Sequence, residues 1–212
     1  MFDNCDPYTN GELDYFHSIE PECKVIFDVG CRDDSIFTEF NGVVHYFDPV
    51  KKHVHALKDR PNRNARSFFN VLALGDKPEF CSYYSDAESF INRNHSQNMR
   101  EYFITTGQLY MEKNGITSID FLKIDTEGYE LRVVKGFGDL IRRVHRIQFE
   151  YGGTYQDAHL KLGDVVEYLR DRGFTNFAYL NGSLPPSPVD NFLDHYTYCN
   201  IVCEQEGFRN CM

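Results

Sequence analysis

The strongest constraint on this chain is the alternation of short apolar runs with helical patterns. Residues 24–29 (KVIFDV) are β-branched and aromatic and lie between Pro21 and Gly30, the pattern of a strand buried on both faces. Residues 43–47 (VVHYF) repeat it and stop at Asp48-Pro49. A helix is predicted over 51–60, with Val54 and Leu57 inward and Pro61 ending it. Further strands are predicted over 67–74, 119–124 (IDFLKI) and 144–149 (VHRIQF), with helical sequence over 129–143 that Gly136 and Gly138 interrupt. A helix over 160–172 carries Leu162, Val165, Val166 and Leu169 on one stripe, with Gly173 at its C-terminal cap. Strands over 174–180 and 196–203 follow, on either side of a Pro-rich turn at 184–188. This order predicts a mostly parallel sheet with helices on both faces. The last two strands lie too close together to be parallel neighbours and are expected to form an antiparallel hairpin at one edge. Residues 1–22 read as an N-terminal extension, and 80–105, polar and weakly periodic, as an inserted loop or lid.

At 212 residues, 42% hydrophobic and 25% charged, the chain suits one globular domain. With 22 basic and 32 acidic residues the formal net charge is −10, which disfavours nucleic acid and anionic membranes as partners. The seven cysteines form no C-x-x-C pair, and Cys199 and Cys203 read as small apolar side chains sharing a strand face. Residues 1–11 are polar and acidic, and no run is long enough to cross a bilayer, so a reducing, cytoplasmic setting is expected.

Ligands of open α/β sheets bind beyond the carboxyl ends of the strands, so the residues there carry the functional reading. Four strands end in acids: Asp28 before Gly30, Asp48, Asp125 in Asp125-Thr126-Glu127-Gly128, and Glu150. Gly30 offers a place where backbone can approach a ligand without a Cβ in the way. Asp48 stands 20 residues beyond Asp28, the spacing at which an acid meets a ribose hydroxyl pair. Arg32 and Asp34 occupy positions where a dinucleotide turn has glycines, and Asp33 and Asp34 would repel a pyrophosphate. That leaves adenosine ligands without phosphate, foremost S-adenosylmethionine.

Asp28-Val29-Gly30, Tyr46-Phe47-Asp48-Pro49, Ala73-Leu74-Gly75-Asp76, the segment from Asp120 to Gly128 (DFLKIDTEG) and Ile147-Gln148-Phe149-Glu150 together resemble FkbM-type methyltransferases, in the family's motif order. The resemblance covers roughly residues 25–203. It implies a Rossmann-like class I fold: a mostly parallel seven-stranded sheet with an antiparallel last strand. It also implies S-adenosylmethionine as cofactor and O-methylation of a hydroxyl on a sugar, glycan or other small molecule. By position, Asp28 and Gly30 would shape the cofactor turn, Asp48 would hold the ribose, and Ala73 and Leu74 would lie near the adenine. Asp125 would face the methionine end or the reacting groups. The turn departs from the family pattern at Cys31, Arg32 and Asp34, and Arg32 is a candidate for the methionine carboxylate.

Methyl transfer to a hydroxyl needs a base, and Asp125, Glu127 and Glu150 are the candidates. Equally, Glu127 could cap the following helix and Glu150 could bond backbone; a less favoured route lets the three acids hold Mg²⁺. No dedicated metal site is expected. His53 and His55 read as solvated, His45 and His145 as packed, Tyr151 and Tyr155 as incidental, and His95 as the histidine to test in the lid. Lys58, Arg60, Arg63 and Arg66 form a local basic cluster that a nucleic-acid (RNA cap or ribose) methyltransferase would need. A non-catalytic S-adenosylmethionine-binding protein is the third reading.

Overall fold

The computed structural model describes residues 3–84, 99–180, 182, 185–189 and 191–207. Its strands are β1 (Val25–Val29), β2 (Val43–Asp48), β3 (Arg66–Val71), β4 (Ala73–Leu74), β5 (Glu79–Tyr84), β6 (Met99–Thr105), β7 (Ile119–Ile124), β8 (Val144–Tyr151), β9 (Phe174–Leu180), β10 (Ser187–Pro188) and β11 (Cys199–Gln205). The helices are α1 (Glu12–Ile19), α2 (Lys51–Asp59), α3 (Gly107–Asn114), α4 (Glu130–Lys135), α5 (Gly153–Asp157) and α6 (Leu162–Arg170). A 3₁₀ turn over Gly138–Arg143 follows α4, where the two glycines were expected to interrupt the helix.

One sheet runs in the order β10-β9-β11-β8-β7-β1-β2-β3. Its centre is parallel: β3 on β2, β2 on β1, β1 on β7 and β7 on β8. β11 runs antiparallel between β8 and β9, so the expected antiparallel pair of late strands stands at that end of the sheet, with β11 on its inner side. The two-residue β10 caps that end as an eighth strand beyond the expected seven. Pro188 lacks a donor, which suits it to an edge.

Three further expectations are corrected. The run 67–74 breaks at Leu72: β3 stays in the main sheet, while β4 pairs with β6 in a second sheet ordered β4-β6-β5. Period-two apolar sequence identifies a strand but not its partner. The segment taken for an inserted loop or lid begins and ends in strand, Glu79–Ile104 to Tyr84–Met99 pairing antiparallel; His95 lies outside the described residues. Residues 1–22 are no mere extension, because α1 covers one face of the sheet.

Period two divides the core between the two faces. Ile26, Val44, Tyr46, Phe121 and Val202 pack with Tyr15, Phe16 and Ile19 of α1, Phe37 and Phe40 of the next loop, and Leu57 of α2. Phe27, Phe47, Leu122, Ile147 and Phe149 face the other way, against α3, α4 and α6. α6 buries Leu162, Val165, Val166 and Leu169, and its Asp164 carboxylate accepts the Lys161 N–H at 2.9 Å. α3, which the sequence reading passed over, starts where Thr106 Oγ1 accepts the Leu109 N–H at 3.1 Å and stops at Gly115 in the left-handed region.

Candidate active site

The carboxyl ends of β1, β2, β7 and β8 open on one cleft of about 390 Å³, and every cofactor and base candidate named from the sequence lines it. Its first edge is the turn after β1. Gly30 has φ +83°, and the place a Cβ would take is filled by the Asp125 carbonyl oxygen, 1.8 Å away. The glycine therefore admits the neighbouring strand end, a protein contact where ligand approach was expected. The amides of Gly30 and Cys31 both donate to the Phe47 carbonyl, at 2.8 and 3.1 Å, and that of Arg32 to Asp48 Oδ2 at 3.1 Å. These bonds tie the turn after β1 to the end of β2. Cys31 is buried, while the Arg32 side chain is exposed.

Asp48 is 4% exposed. Its Oδ1 accepts the Val50 N–H at 2.7 Å, an Asx turn that leads past Pro49 into α2. His53 Nδ1 sits 3.4 Å from the same oxygen. His53 was expected to be solvated; it is buried and lines the cleft, because the first turn of α2 folds back over the strand end. Phe47, Ala73 and Leu74 add an apolar wall.

The opposite side is a polar layer set by alternation. Residues two beyond Ile26 and Phe121, and the polar positions of β8 and β11, place Asp28, Lys123, Asp125, Gln148, Glu150 and Asn200 on the α1 face. Lys123 Nζ lies 2.9 Å from Asp125 Oδ2 and 3.9 Å from Glu12 Oε2. Glu12, the first residue of α1, accepts from Gln148 Nε2 at 2.7 Å and Asn200 Nδ2 at 2.9 Å. Asn10 Nδ2 adds a third bond at 2.7 Å. The sequence reading missed Glu12; the available signal was a Lys and a Gln inside otherwise apolar strands, which demand partners when buried.

Asp125 and Glu150 share a hydrogen bond. Burial raises the proton affinity of both. For Asp125 that effect is outweighed by Lys123, the bond from Glu150 and Arg32, so its carboxyl stays below the usual range and ionised. For Glu150, burial and the Asp125 charge act together and hold its carboxyl well above the usual range. The pair is thus split in proton affinity, Asp125 downward and Glu150 upward. Glu150 Oε2 is buried and has no protein partner among the described residues, and the same holds for Asp28 Oδ1. Burial pushes the Asp28 carboxyl up to about 6, against the pull of Lys123 and of the Ser35 hydroxyl that donates to Oδ2.

Glu127 stands on the cleft rim with φ +57°. The loop is held by Glu130, a second residue missed from sequence. Glu130 Oε1 accepts the Thr126 N–H and hydroxyl, both at 2.9 Å, and the Gly128 N–H at 3.3 Å. Burial pushes the Glu130 carboxyl up to about 7. Because the folded protein then binds this proton more tightly than the unfolded chain, the stabilisation is complete below the ordinary carboxylate range. It is lost as pH rises through about 7. Glu130→Gln is expected to remove that slope. In urea titrations the stability difference between wild type and variant should shift towards the variant by on the order of 3 kcal/mol between pH 5 and pH 8. A constant difference would contradict a buried ionisable Glu130.

Other expectations resolve away from the cleft. Tyr151 and Tyr155 are fully buried, with ring centroids 4.8 Å apart. His45 is packed, its Nδ1 2.9 Å from the Tyr110 hydroxyl, and burial lowers its pKa to about 4. His145 Nδ1 lies 3.0 Å from Asp120 Oδ1. Lys58, Arg60, Arg63 and Arg66 are exposed at the end of α2 and the start of β3, the sheet edge opposite the cleft. Among the described residues no group of three His, Cys, Asp or Glu side chains is arranged to hold a metal ion. No described helix is long and apolar enough to cross a membrane.

Residues 28–175 match the sequence profile described as Methyltransferase FkbM domain. The chain belongs to the FkbM methyltransferase family. No match is found among curated proteins. Solved structures share the fold of this FkbM chain at low identity. The TehB-like SAM-dependent methyltransferase from Corynebacterium glutamicum is 13% identical with a TM-score of 0.51, covering 92% of this chain and 88% of its own. The plantazolicin methyltransferase BpumL, solved with SAH and a triazolic desmethylPZN analog, is 11% identical with a TM-score of 0.53, covering 95% and 86%. The N-terminal domain of EvdMO1, solved in the presence of SAH and D-fucose, is 9% identical with a TM-score of 0.51, covering 96% and 84%. The fold of this FkbM chain is therefore that of class I S-adenosylmethionine-dependent methyltransferases.

Proposed function

We propose that this FkbM-family chain is an S-adenosylmethionine-dependent O-methyltransferase acting on a hydroxyl of a sugar or other small molecule. The observation that carries the reading is the Asp125–Glu150 pair, at the ends of adjacent strands and lining the same cleft as Asp48, with the proton affinity of one acid lowered and of the other raised. The cleft suits the cofactor in its division of labour: an apolar wall of Phe47, Ala73 and Leu74 for the adenine, and carboxylates opposite for positive charge. Two buried oxygens without a protein partner among the described residues, Asp28 Oδ1 and Glu150 Oε2, line the same cleft as acceptors or donors for a polar ligand. When bound, S-adenosylmethionine would supply an electrophilic methyl group on a positively charged sulfur.

Asp48 would accept the ribose hydroxyls with the lone pairs left after its bonds to Val50 and Arg32. Asp28 and Gly30 would form the turn beneath the methionine portion, and Arg32 would meet its carboxylate. Asp125, held ionised by Lys123, would offset the sulfonium charge. Glu150, once ionised, would take the proton of the acceptor hydroxyl. An amine acceptor can attack before it loses a proton, whereas a hydroxyl needs a base during attack, so a carboxyl with raised proton affinity favours oxygen as the acceptor. Glu127, on the rim, is a weaker candidate for the same task.

A protein of this fold was solved in the presence of D-fucose, the kind of acceptor proposed here. The basic cluster sits at the wrong edge of the sheet to guide nucleic acid into the cleft. Incubation with labelled S-adenosylmethionine is expected to place methyl groups in small-molecule or glycan pools, and to do so about equally at low and moderate salt. Labelling confined to RNA and suppressed by salt would favour the nucleic-acid reading. Cofactor binding without labelling of any pool would favour a non-catalytic binder.

A further inference from the structure

Part of the cleft wall comes from outside residues 28–175, the stretch that carries the family domain: Cys5, Pro7, Glu12 and Tyr198. We propose that Tyr198 is an acceptor-binding residue that, with Glu150, forms a subsite for a neutral polyol such as a pyranoside. The proposal rests on the methyltransferase reading above and names the acceptor chemistry of that site.

Tyr198 precedes β11 by one residue, and Asn200 lies directly opposite Glu150 in the β11–β8 ladder. Residues two apart share a face, so the phenol stands on the same side of the sheet as the Asp125–Glu150 pair. Asn200 Nδ2 donates to the Tyr198 phenol oxygen at 3.2 Å, which leaves the phenol hydrogen for a cleft ligand. Burial raises the proton affinity of the phenol, and the charges of Glu12 and Asp125 raise it further, so it stays a donor throughout the physiological range. The Tyr198 backbone is pinned as well: its N–H donates to Asp3 Oδ1 at 3.2 Å, and the Asp3 N–H donates to its carbonyl at 3.0 Å.

Glu12 is the positioning residue of this arrangement. One of its carboxylate oxygens fixes Asn200, which fixes the phenol; the other accepts from Gln148 and faces Lys123. The second half of the subsite is Glu150 Oε2, on a side chain more than nine-tenths buried and without a protein partner among the described residues. A fixed donor beside β11 and a buried, unsatisfied carboxyl oxygen on β8 suit two neighbouring hydroxyls: one would accept from the phenol while the other would donate to Glu150. The acids Glu12, Asp125 and Glu127 oppose an anionic acceptor, which leaves a neutral one with several hydroxyls.

Tyr198→Phe removes only the hydroxyl. The test is saturation-transfer NMR of methyl α-glucopyranoside, methyl α-mannopyranoside and methyl α-galactopyranoside over protein saturated with S-adenosylhomocysteine. At least one glycoside is expected to bind wild type. It should bind the variant about five- to ten-fold more weakly, the loss of one hydrogen bond, with S-adenosylhomocysteine affinity within two-fold, which shows that the cleft stays folded despite the lost Asn200 bond. Equal binding to the variant, or no glycoside binding to the wild-type complex, would overturn the subsite. Failure of wild type to bind S-adenosylhomocysteine would instead overturn the methyltransferase reading on which it rests.

Discussion

Glu150→Gln is expected to lower kcat by about 10²–10⁴-fold, the range for removing a general base, while leaving cofactor affinity within a few-fold. The amide keeps the size of the carboxyl and can still donate to Asp125, so the geometry of the pair survives and only its proton-accepting capacity is lost. The pH profile supplies the sharper signature. Glu150 works as a base only when ionised, and burial with the Asp125 charge holds its proton well above the ordinary carboxylate range. Wild-type kcat should therefore rise with pH above the ordinary carboxylate range, and the variant should lose that rise. Asp125→Asn removes the like charge and should move the rise to lower pH. A Glu150→Gln enzyme with wild-type kcat would leave Glu127 as the candidate base.

Asp48→Asn is expected to weaken S-adenosylhomocysteine binding by about 100-fold. Two charge-assisted hydrogen bonds to a ribose contribute on the order of 3 kcal/mol, which is about two decades in affinity. Part of the effect would pass through the scaffold, because Asp48 also accepts the Val50 and Arg32 amides and sits beside His53. Thermal unfolding of the variant separates the two: a melting temperature near wild type with lost affinity assigns the effect to the ribose. Unchanged affinity would remove Asp48 from the cofactor site.

How much of this was legible in the sequence follows from where each residue sits. The central strands were readable because a strand buried on both faces must be apolar along its length, and the acids that end β1, β2, β7 and β8 stand out against such runs. Asp28, Asp48, Asp125 and Glu150 therefore announced themselves by position alone. The same logic failed for residues that arrive from other elements. Glu12 comes from α1 and Tyr198 from the approach to β11, and nothing local says that either faces the cleft. Glu130 stands at a helix start like many acids, and nothing local says that it bonds the loop beside Asp125. His53 looked solvated because burial of the first turn of α2 depends on how that turn meets Asp48. Gly30 was expected to admit a ligand, and the group that fills its Cβ position is the Asp125 carbonyl. The pairing of β4 with β6 is a long-range choice that apolar period cannot specify.

The most direct test of the account is a calorimetric titration of the wild-type chain with S-adenosylmethionine, followed by displacement with S-adenosylhomocysteine. One saturable site per chain is predicted, with S-adenosylhomocysteine competing for it and Asp48→Asn abolishing most of the heat. No binding, or binding that Asp48→Asn leaves intact, would contradict the assignment of the cleft.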